Sequence, residues 1–277
     1  MHVDDPLSHP VSCEHGTVRI VLCALLLAGC DRVFGLQAND ASDTALDLCA
    51  TQPADPTCHD EDGDQIVDAH DNCPATFNPS AAGSSQGDLD TDGVGDACDP
   101  HPTTAGDAIV EFEPFATGFG TWAAGVGGWT SGADQITSPA GTALKSRLTH
   151  SLIQARHPTI DVAFELLDLG TDTNRTVGPR LDFAASPGAC RVIRTNVIAV
   201  DNSTSTTSTG FSPDVGTNVR YVAHYSRDVP NVRCTIATGV MEDPNANLTD
   251  VLVTPGVEVE YMQVTITSII LYASSSN

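Results

Sequence analysis

The stretch QVTITSIILYA, Gln263 to Ala273, decides the fold class of this chain. Its apolar residues first alternate with threonines and then run together, and many of them are β-branched, as in a strand. The same kind of strand pattern occurs in NVRYVAHYS (218–226) and NVRCTIAT (231–238). Gly, Pro, Asn and Asp separate such stretches at intervals of roughly 8 to 15 residues. About ten strands and no helix are therefore expected in residues 105–277, which predicts a sandwich of two antiparallel sheets.

The segment upstream of the predicted sandwich differs in its charge. The whole chain has 36 acidic and 12 basic residues, a balance that excludes the basic surface which nucleic-acid binding needs. Residues 31–104 hold 16 of the acids and a single base, Arg32, whereas residues 105–277 hold 17 acids and 10 bases. The acidic segment is therefore expected to be a separate unit.

Two stretches of this segment, DEDGDQIVDAHD (60–71) and DLDTDGVGDACD (88–99), place aspartates at the same spacing. The aspartates stand at positions 1, 3, 5, 9 and 12 of each stretch: Asp60, Asp62, Asp64, Asp68 and Asp71, then Asp88, Asp90, Asp92, Asp96 and Asp99. Calcium takes six to eight oxygen ligands, and loops with this spacing wrap the ion and add the backbone carbonyl of position 7, here Ile66 and Val94. Magnesium fits less well because it prefers a tighter octahedron and keeps its waters. The spacing predicts two Ca²⁺ loops, in which the cation allows the carboxylates to converge.

The loops lack the long flanking helices and the final glutamate of an EF-hand. DEDGDQIVDAHDNCPATFNP followed by QGDLDTDGVGDACD resembles the thrombospondin type 3 repeat in its longer and then its shorter form. The resemblance covers residues 60–99. It implies a chain with little regular secondary structure that wraps around calcium ions, with the matched aspartates as ligands and Cys73 paired with Cys98.

Two features depart from that pattern. Gln65 stands at position 6 of the first loop, where the sharp turn favours glycine, and Gly93 fills the same position of the second loop. Because a left-handed conformation costs a non-glycine residue roughly 1 to 2 kcal/mol, the second loop is expected to bind calcium more tightly. The second departure is an insertion, SAAGSS (80–85), which is expected to bulge into solvent.

The first thirty residues indicate export. RIVLCALLLAGC (19–30) places an arginine before a short apolar run, as in a secretory signal. Its end, LAGC, resembles the lipobox of bacterial lipoproteins, which implies cleavage after residue 29 and a lipid on Cys30; an ordinary signal with an incidental cysteine is the alternative. The chain is then expected to be anchored to a membrane of the cell envelope, with a flexible tether at 30–57, the repeats at 58–100 and the sandwich at 105–277.

Six further cysteines agree with export to an oxidising compartment: Cys49, Cys58, Cys73, Cys98, Cys190 and Cys234. Six thiols allow 15 pairings, of which pairing between neighbours in sequence is the simplest. Cys190 and Cys234 each lie on a predicted strand beside apolar residues of the same face, which suits a cross-strand disulfide.

The predicted sandwich favours binding or adhesion over catalysis. Its opening, FEPFATGFGTWAAGVGGWTSGADQIT (112–137), and its closing strand resemble jelly-roll domains of the concanavalin and laminin G type, which implies a glycan or protein ligand. Trp122 and Trp129 could form a platform for stacking sugars, although burial in the core is the commoner use of such residues.

Two carboxylate pairs have the spacing that a glycosidase needs on one face of a strand, Glu258 with Glu260 and Glu111 with Glu113. Neither pair has the third acid or the aromatic neighbours of a jelly-roll hydrolase, so all four are expected to face solvent. No other catalytic motif is found. The sequence predicts a calcium-binding, lipid-anchored surface protein without enzymatic activity. A glycan-active enzyme and a purely structural spacer are the alternatives.

Overall fold

The computed structural model describes residues 56–80, 85–140, 145–150, 158–172, 175–182, 188–193, 197–201, 206–210, 220–228, 231–236, 239–243 and 254–274. The chain divides into two compact units, Met1–Gln52 and Pro53–Asn277, and all described residues belong to the second. The signal segment, Cys30, Cys49, most of the tether and the centre of the SAAGSS insertion lie outside the described residues. The predictions made for them stay predictions.

Fifteen strands lie in the described part of the chain. They are β1 (Asp107–Glu113), β2 (Trp122–Val126), β3 (Thr130–Gly132), β4 (Gln135–Thr137), β5 (Ser146–His150), β6 (Pro158–Asp168), β7 (Thr176–Asp182), β8 (Gly188–Ile193), β9 (Val197–Asp201), β10 (Thr206–Gly210), β11 (Arg220–Asp228), β12 (Asn231–Ile236), β13 (Gly239–Asp243), β14 (Thr254–Glu260) and β15 (Gln263–Ser274). Two short 3-10 helices, Pro56–Cys58 and Asp68–His70, are the helical elements of these residues. No helix there is long and apolar enough to cross a membrane.

The strands form two antiparallel sheets, as the sequence predicts. Sheet A has the order β13-β12-β11-β6-β15-β4-β3, with β1 paired to β15, and sheet B has the order β10-β9-β8-β7-β14-β5-β2. The described strands outnumber the expected ten, partly because β2, β3 and β4 are short and lie in a glycine-rich stretch. The prediction of a mainly β fold with an antiparallel sandwich is confirmed.

The core lies between the inner faces of the two sheets. Sheet A contributes residues such as Ile160, Phe164 and Tyr225, and sheet B contributes Leu148, Val177 and Val257, all buried. The disulfide Cys190–Cys234 joins β8 of sheet B to β12 of sheet A, with its Cα atoms 5.4 Å apart. This expected pair is therefore present and crosses the core from one sheet to the other.

A β-bulge changes the faces of β15. Its register against β6 shifts between Ile266 and Ser268, so that the inward residues are even-numbered before the bulge and odd-numbered after it. Ile270 and Tyr272 consequently lie on the outer face of sheet A, yet they are only 2% and 1% exposed. Another part of the chain must cover them, and that part is the acidic segment.

Candidate functional site

The two acidic loops fold by one shared set of hydrogen bonds. In each loop, four aspartates accept hydrogen bonds from backbone amides of the same loop. The aspartate at position 1 accepts from the amides of the residues at positions 4 and 6. The aspartates at positions 3, 5 and 9 accept from the amides of the residues at positions 5, 7 and 2, respectively. All these N···O distances lie between 2.7 and 3.3 Å. The acceptors are Asp60, Asp62, Asp64 and Asp68 in the first loop, and Asp88, Asp90, Asp92 and Asp96 in the second. A charged segment without a structural role has no reason to repeat such a scheme.

The scheme brings the carboxylates together. One oxygen from each of positions 1, 3 and 5 lies within 4.8 Å of the others, in both loops. The second oxygens of positions 3 and 12 are buried and accept no hydrogen bond from any described residue: Asp62 Oδ2, Asp71 Oδ2, Asp90 Oδ2 and Asp99 Oδ2. Buried carboxylate oxygens normally have a partner. Convergent oxygens that lack one fit a hard cation such as Ca²⁺, with the aspartates of the loop as its ligands.

The raised pKa values of two loop carboxyls also fit a cation site. Burial raises the pKa of Asp62 to about 6, and the nearby carboxylates Asp64 and Asp71 add to the shift. Burial, followed by the Asp107 carboxyl, raises the pKa of Asp99 to about 7. Burial is the largest cause of both shifts, and the negative charge of neighbouring carboxylates adds to it. A divalent cation bound between these carboxylates would balance their negative charge.

The backbone removes the premise of the expected difference in calcium affinity between the two loops. Positions 4 and 6 of both loops have a positive φ: Gly63 (76°) and Gln65 (78°), then Thr91 (65°) and Gly93 (99°). Each loop therefore has one glycine and one strained side chain in this conformation. Thr91 is β-branched, for which a positive φ is especially unfavourable. The glycine at position 6 gives the second loop no net advantage.

Covalent and polar contacts hold the two loops to one another. The Cys73–Cys98 disulfide that the resemblance implies is present, with its Cα atoms 5.6 Å apart. Gln86 Nε2 donates to Asp71 Oδ1 at 2.6 Å, so the start of the second repeat closes the end of the first loop. Cys58 is disulfide-bonded as well. Disulfides persist in oxidising compartments, in keeping with an exported protein.

The repeat lies against the outer face of sheet A. Val94, at position 7 of the second loop, is buried against Ile270 and Tyr272, and Cys98 packs beside them. Ile66, its counterpart in the first loop, is half-buried. The carbonyls of Ile66 and Val94 stay predicted ligands, while the Val94 side chain covers the two outward residues of β15.

Polar contacts add to this docking. Glu61 accepts a hydrogen bond from Arg220 of β11 at 3.0 Å, and Arg220 also donates to Ser268 at 3.1 Å. Burial raises the pKa of Glu61 to about 7 although the Arg220 charge opposes the shift. Asp92 Oδ2 accepts hydrogen bonds from the backbone amides of Gly106 (2.9 Å) and Asp107 (2.7 Å), where β1 begins. The sequence analysis predicted a separate connector and did not predict this contact surface.

The two tryptophans are core residues. Trp122 and Trp129 are 3% and 7% exposed and belong to the apolar core. Trp122 meets His150 edge-on, with ring centroids 5.4 Å apart. The commoner interpretation of these residues is therefore correct, and they do not form a shelf for a sugar ring.

The expectation that Glu258 faces solvent is wrong. Its neighbours in β14 point into the core, so Glu258 lies on the outer face of sheet B, but it is only 1% exposed. Its Oε2 accepts from Arg147 at 2.7 Å and from Arg180, and Lys145 Nζ is 3.3 Å away. Burial acts to raise the pKa of Glu258, but these three cations outweigh it and lower the pKa. Glu260 is half-buried and pairs with Lys145 at 2.6 Å. A carboxylate held ionised in this way is a poor general acid.

The second carboxylate pair is also withdrawn from solvent. Glu113 is buried, and its carboxylate accepts a hydrogen bond from the Phe115 amide at 2.8 Å. Burial raises the pKa of Glu113, and the negative charge of Glu111 raises it further. Glu111 accepts from the Thr121 hydroxyl and lies 3.6 Å from His150 Nε2. The prediction that this pair faces solvent is wrong for Glu113, and Glu111 is half-buried.

Comparison with known proteins assigns no family. No family model matches the chain, and no curated protein matches it. Among solved structures, it is similar to the laminarinase from Rhodothermus marinus, with a TM-score of 0.49 and 8% identity over 61% of this chain and 98% of that one. The Crh5 transglycosylase in complex with NAG has a TM-score of 0.47 and 9% identity over 65% and 91% of the two chains. The carbohydrate-binding module CBM66 from Bacillus subtilis has a TM-score of 0.42 and 11% identity over 53% and 92%. At these scores and identities the likeness assigns no function.

Proposed function

We propose that this chain is an exported calcium-binding protein of the cell envelope, in which a calcium-loaded repeat is docked on a β-sandwich that binds a glycan. The repeated hydrogen-bond scheme of the two loops, with buried carboxylate oxygens left over at positions 3 and 12, supports calcium binding. Calcium is favoured over magnesium because the loops offer more oxygens than a magnesium ion uses. The metal is structural: it lets ten aspartates occupy one short, cross-linked segment.

Calorimetric titration of the full chain with calcium tests this function. The wild type should bind calcium, and Asp60→Asn and Asp88→Asn should each weaken one loop, because each removes a ligand charge from one cluster only. Asp168→Asn, at the exposed end of β6, is the matched control and should bind as the wild type does. No calcium binding at millimolar concentration would refute the proposal.

The outer face of sheet B is the proposed site of the glycan. Alternation along β5, β7 and β14 puts Arg147, Arg180 and Glu258 on this face, since Leu148, Leu181 and Val257 lie in the core. The Glu258 carboxylate fixes both guanidinium groups. Positioned guanidinium donors suit the hydroxyl and carboxylate oxygens of a sugar.

A glycan array probed with the full chain tests this site. Binding should be lost or weakened in Arg147→Ala, whose side chain is partly exposed, and kept in Arg233→Ala, which removes an exposed arginine from sheet A. Binding that survives Arg147→Ala unchanged would place the ligand elsewhere. A chain that binds nothing on the array would support the spacer function instead.

The membrane anchor has a separate test. The sequence LLLAGC predicts lipidation of Cys30, so Cys30→Ser should move the protein from the membrane fraction to the soluble one. A Cys30→Ser protein that still sediments with membranes and keeps its mature mass would contradict the anchor.

A glycan-active enzyme is the second candidate function, and Glu113 is the observation that favours it. Burial raises the pKa of Glu113, which suits a general acid, and Glu111 lies two residues away on the same strand. Incubation with a panel of polysaccharides should then release reducing ends in the wild type and not in Glu113→Gln. No release in either protein would leave binding as the function.

A further inference from the structure

Three cations meet over one carboxylate on the outer face of sheet B. They are Lys145, Arg147 and Arg180. All three contact Oε2 of Glu258, and Lys145 also pairs with Glu260. Three positive charges thus face two negative ones, in a chain whose formal net charge is −24. This cluster is therefore a positive site on a strongly acidic protein.

Two of the cations lie nearer to solvent than the carboxylates do. The side chains of Lys145 and Arg147 are 42% and 29% exposed, whereas those of Glu258 and Glu260 are 1% and 18% exposed. Burial acts to raise the pKa of Glu258, but the cations outweigh it, so this carboxylate stays ionised at neutral pH and holds the cations in place. A ligand that approaches from solvent consequently meets positive charge first.

The edge strand β2 leaves an open approach to this cluster. It pairs with β5 at the end of sheet B, and Val126 lies opposite Arg147 in that pairing. Val126 is 54% exposed, and the other β2 residues after Trp122 are exposed as well. Residues 114–133, which include β2, contain no charged side chain. An anion can therefore reach Arg147 past β2 without repulsion from a carboxylate of that strand, and Val126 offers an apolar contact to a sugar ring.

We propose that the glycan bound on the outer face of sheet B is anionic, and that its carboxylate or sulfate group contacts Arg147 and Lys145. This inference rests on the proposed glycan binding of this face and adds the charge of the ligand. Arginine binds an anionic group through parallel N–H···O bonds, whereas lysine acts as a point charge. The sugar ring that carries the anionic group then lies against Val126. A neutral sugar lacks the group that the two cations recognise.

Calorimetric titration of the full chain with matched saccharides, at one calcium concentration, tests the charge of the ligand. The probes are oligogalacturonate and its uncharged methyl ester, then dextran sulfate and uncharged dextran, so that the two pairs distinguish a carboxylate from a sulfate. One charged probe should bind about tenfold more tightly than its uncharged counterpart, which is the effect of one charge-assisted hydrogen bond. Lys145→Gln and Arg147→Gln should each remove most of this difference. Arg233→Gln, which removes an exposed arginine from sheet A, is the matched control and should keep it.

The outcomes separate this inference from the function on which it rests. Uncharged glycans that bind as tightly as charged ones, and are lost in Arg147→Gln, would overturn the anionic ligand and leave glycan binding on sheet B standing. No binding of any glycan would overturn both. A preference for anions that survives in Lys145→Gln and Arg147→Gln would also overturn the inference, since the anion then binds elsewhere, for instance through calcium on the loops.

A cooperative thermal transition, compared across the variants, verifies that each is folded. If Arg147→Gln fails this check because Glu258 has lost a partner, Lys145→Gln decides alone, since Lys145 is the most exposed of the three cations.

Discussion

The strain at positions 4 and 6 of the loops gives a quantitative prediction. Thr91 and Gln65 hold a positive φ that costs an ordinary residue about 1 to 2 kcal/mol, and glycine relieves this strain. Glycine also adds about 0.5 to 1 kcal/mol of conformational entropy to the unfolded chain, which offsets part of the gain. Since calcium binding and folding of the loop are linked, the net gain of about 0.5 to 1 kcal/mol is expected as a two- to fivefold higher calcium affinity.

Calorimetric titration of Thr91→Gly and Gln65→Gly measures this gain. Thr91→Gly should gain at least as much as Gln65→Gly, because a β-branched side chain tolerates a positive φ less well. Leu89→Gly is the control: Leu89 is exposed and has no positive φ, so glycine there should lower the affinity. Higher calcium affinity in Gln65→Gly alone, or an increase in Leu89→Gly as large as in Thr91→Gly, would contradict this prediction.

Three further predictions concern the docked repeat and the sandwich. Val94→Ala should lower the free energy of unfolding in calcium by about 1 to 3 kcal/mol in urea titrations, because it uncovers Ile270 and Tyr272, whereas Leu89→Ala should change little. Glu258→Gln should destabilise the chain at neutral pH, and its difference from wild type should vanish as the pH falls below the lowered pKa of Glu258. In chelator, the carboxyls with a raised pKa near 7 bind more protons when folded, so thermal stability should fall as the pH rises from about 4 to 7; rising stability would contradict this.

The spacing of the aspartates predicts two loops of the same kind, and the two loops do share one set of backbone hydrogen bonds, whereas calcium binding stays a prediction. Aspartates at positions 1, 3, 5, 9 and 12 form a local sequence pattern. The hydrogen bonds of the loops are local too: the backbone amides of Gly63 and Gln65, for example, donate to Asp60. The alternation in Gln263–Ala273 predicted a strand for the same reason. The strain at position 4 has no sign in the sequence, because Thr91 is not a residue that indicates the positive φ it shares with Gly63.

Burial of the charged strand residues could not be read from the sequence. Alternation places Glu258 opposite the core, and an outward glutamate is normally solvated. Its burial depends on Arg147 of β5 and Arg180 of β7, which are distant in sequence and meet it only through the sheet register. Such contacts require the strand order, and the sequence pattern does not contain it.

The docking of the repeat did have a sequence signal. In SIILYA the apolar residues stop alternating, and a continuous apolar run indicates a strand covered on both faces. The bulge before Ser268 directs Ile269 and Leu271 into the core and leaves Ile270 and Tyr272 to be covered from outside. Under the proposed function, calcium binding and the covering of this face are coupled. A cation that binds only the folded, docked repeat stabilises that state by RT ln(1 + [Ca²⁺]/Kd), and the contact of the repeat with β15 is stabilised with it. The sandwich is therefore expected to depend on calcium through Val94, although none of its own strands forms a complete metal site among the described residues.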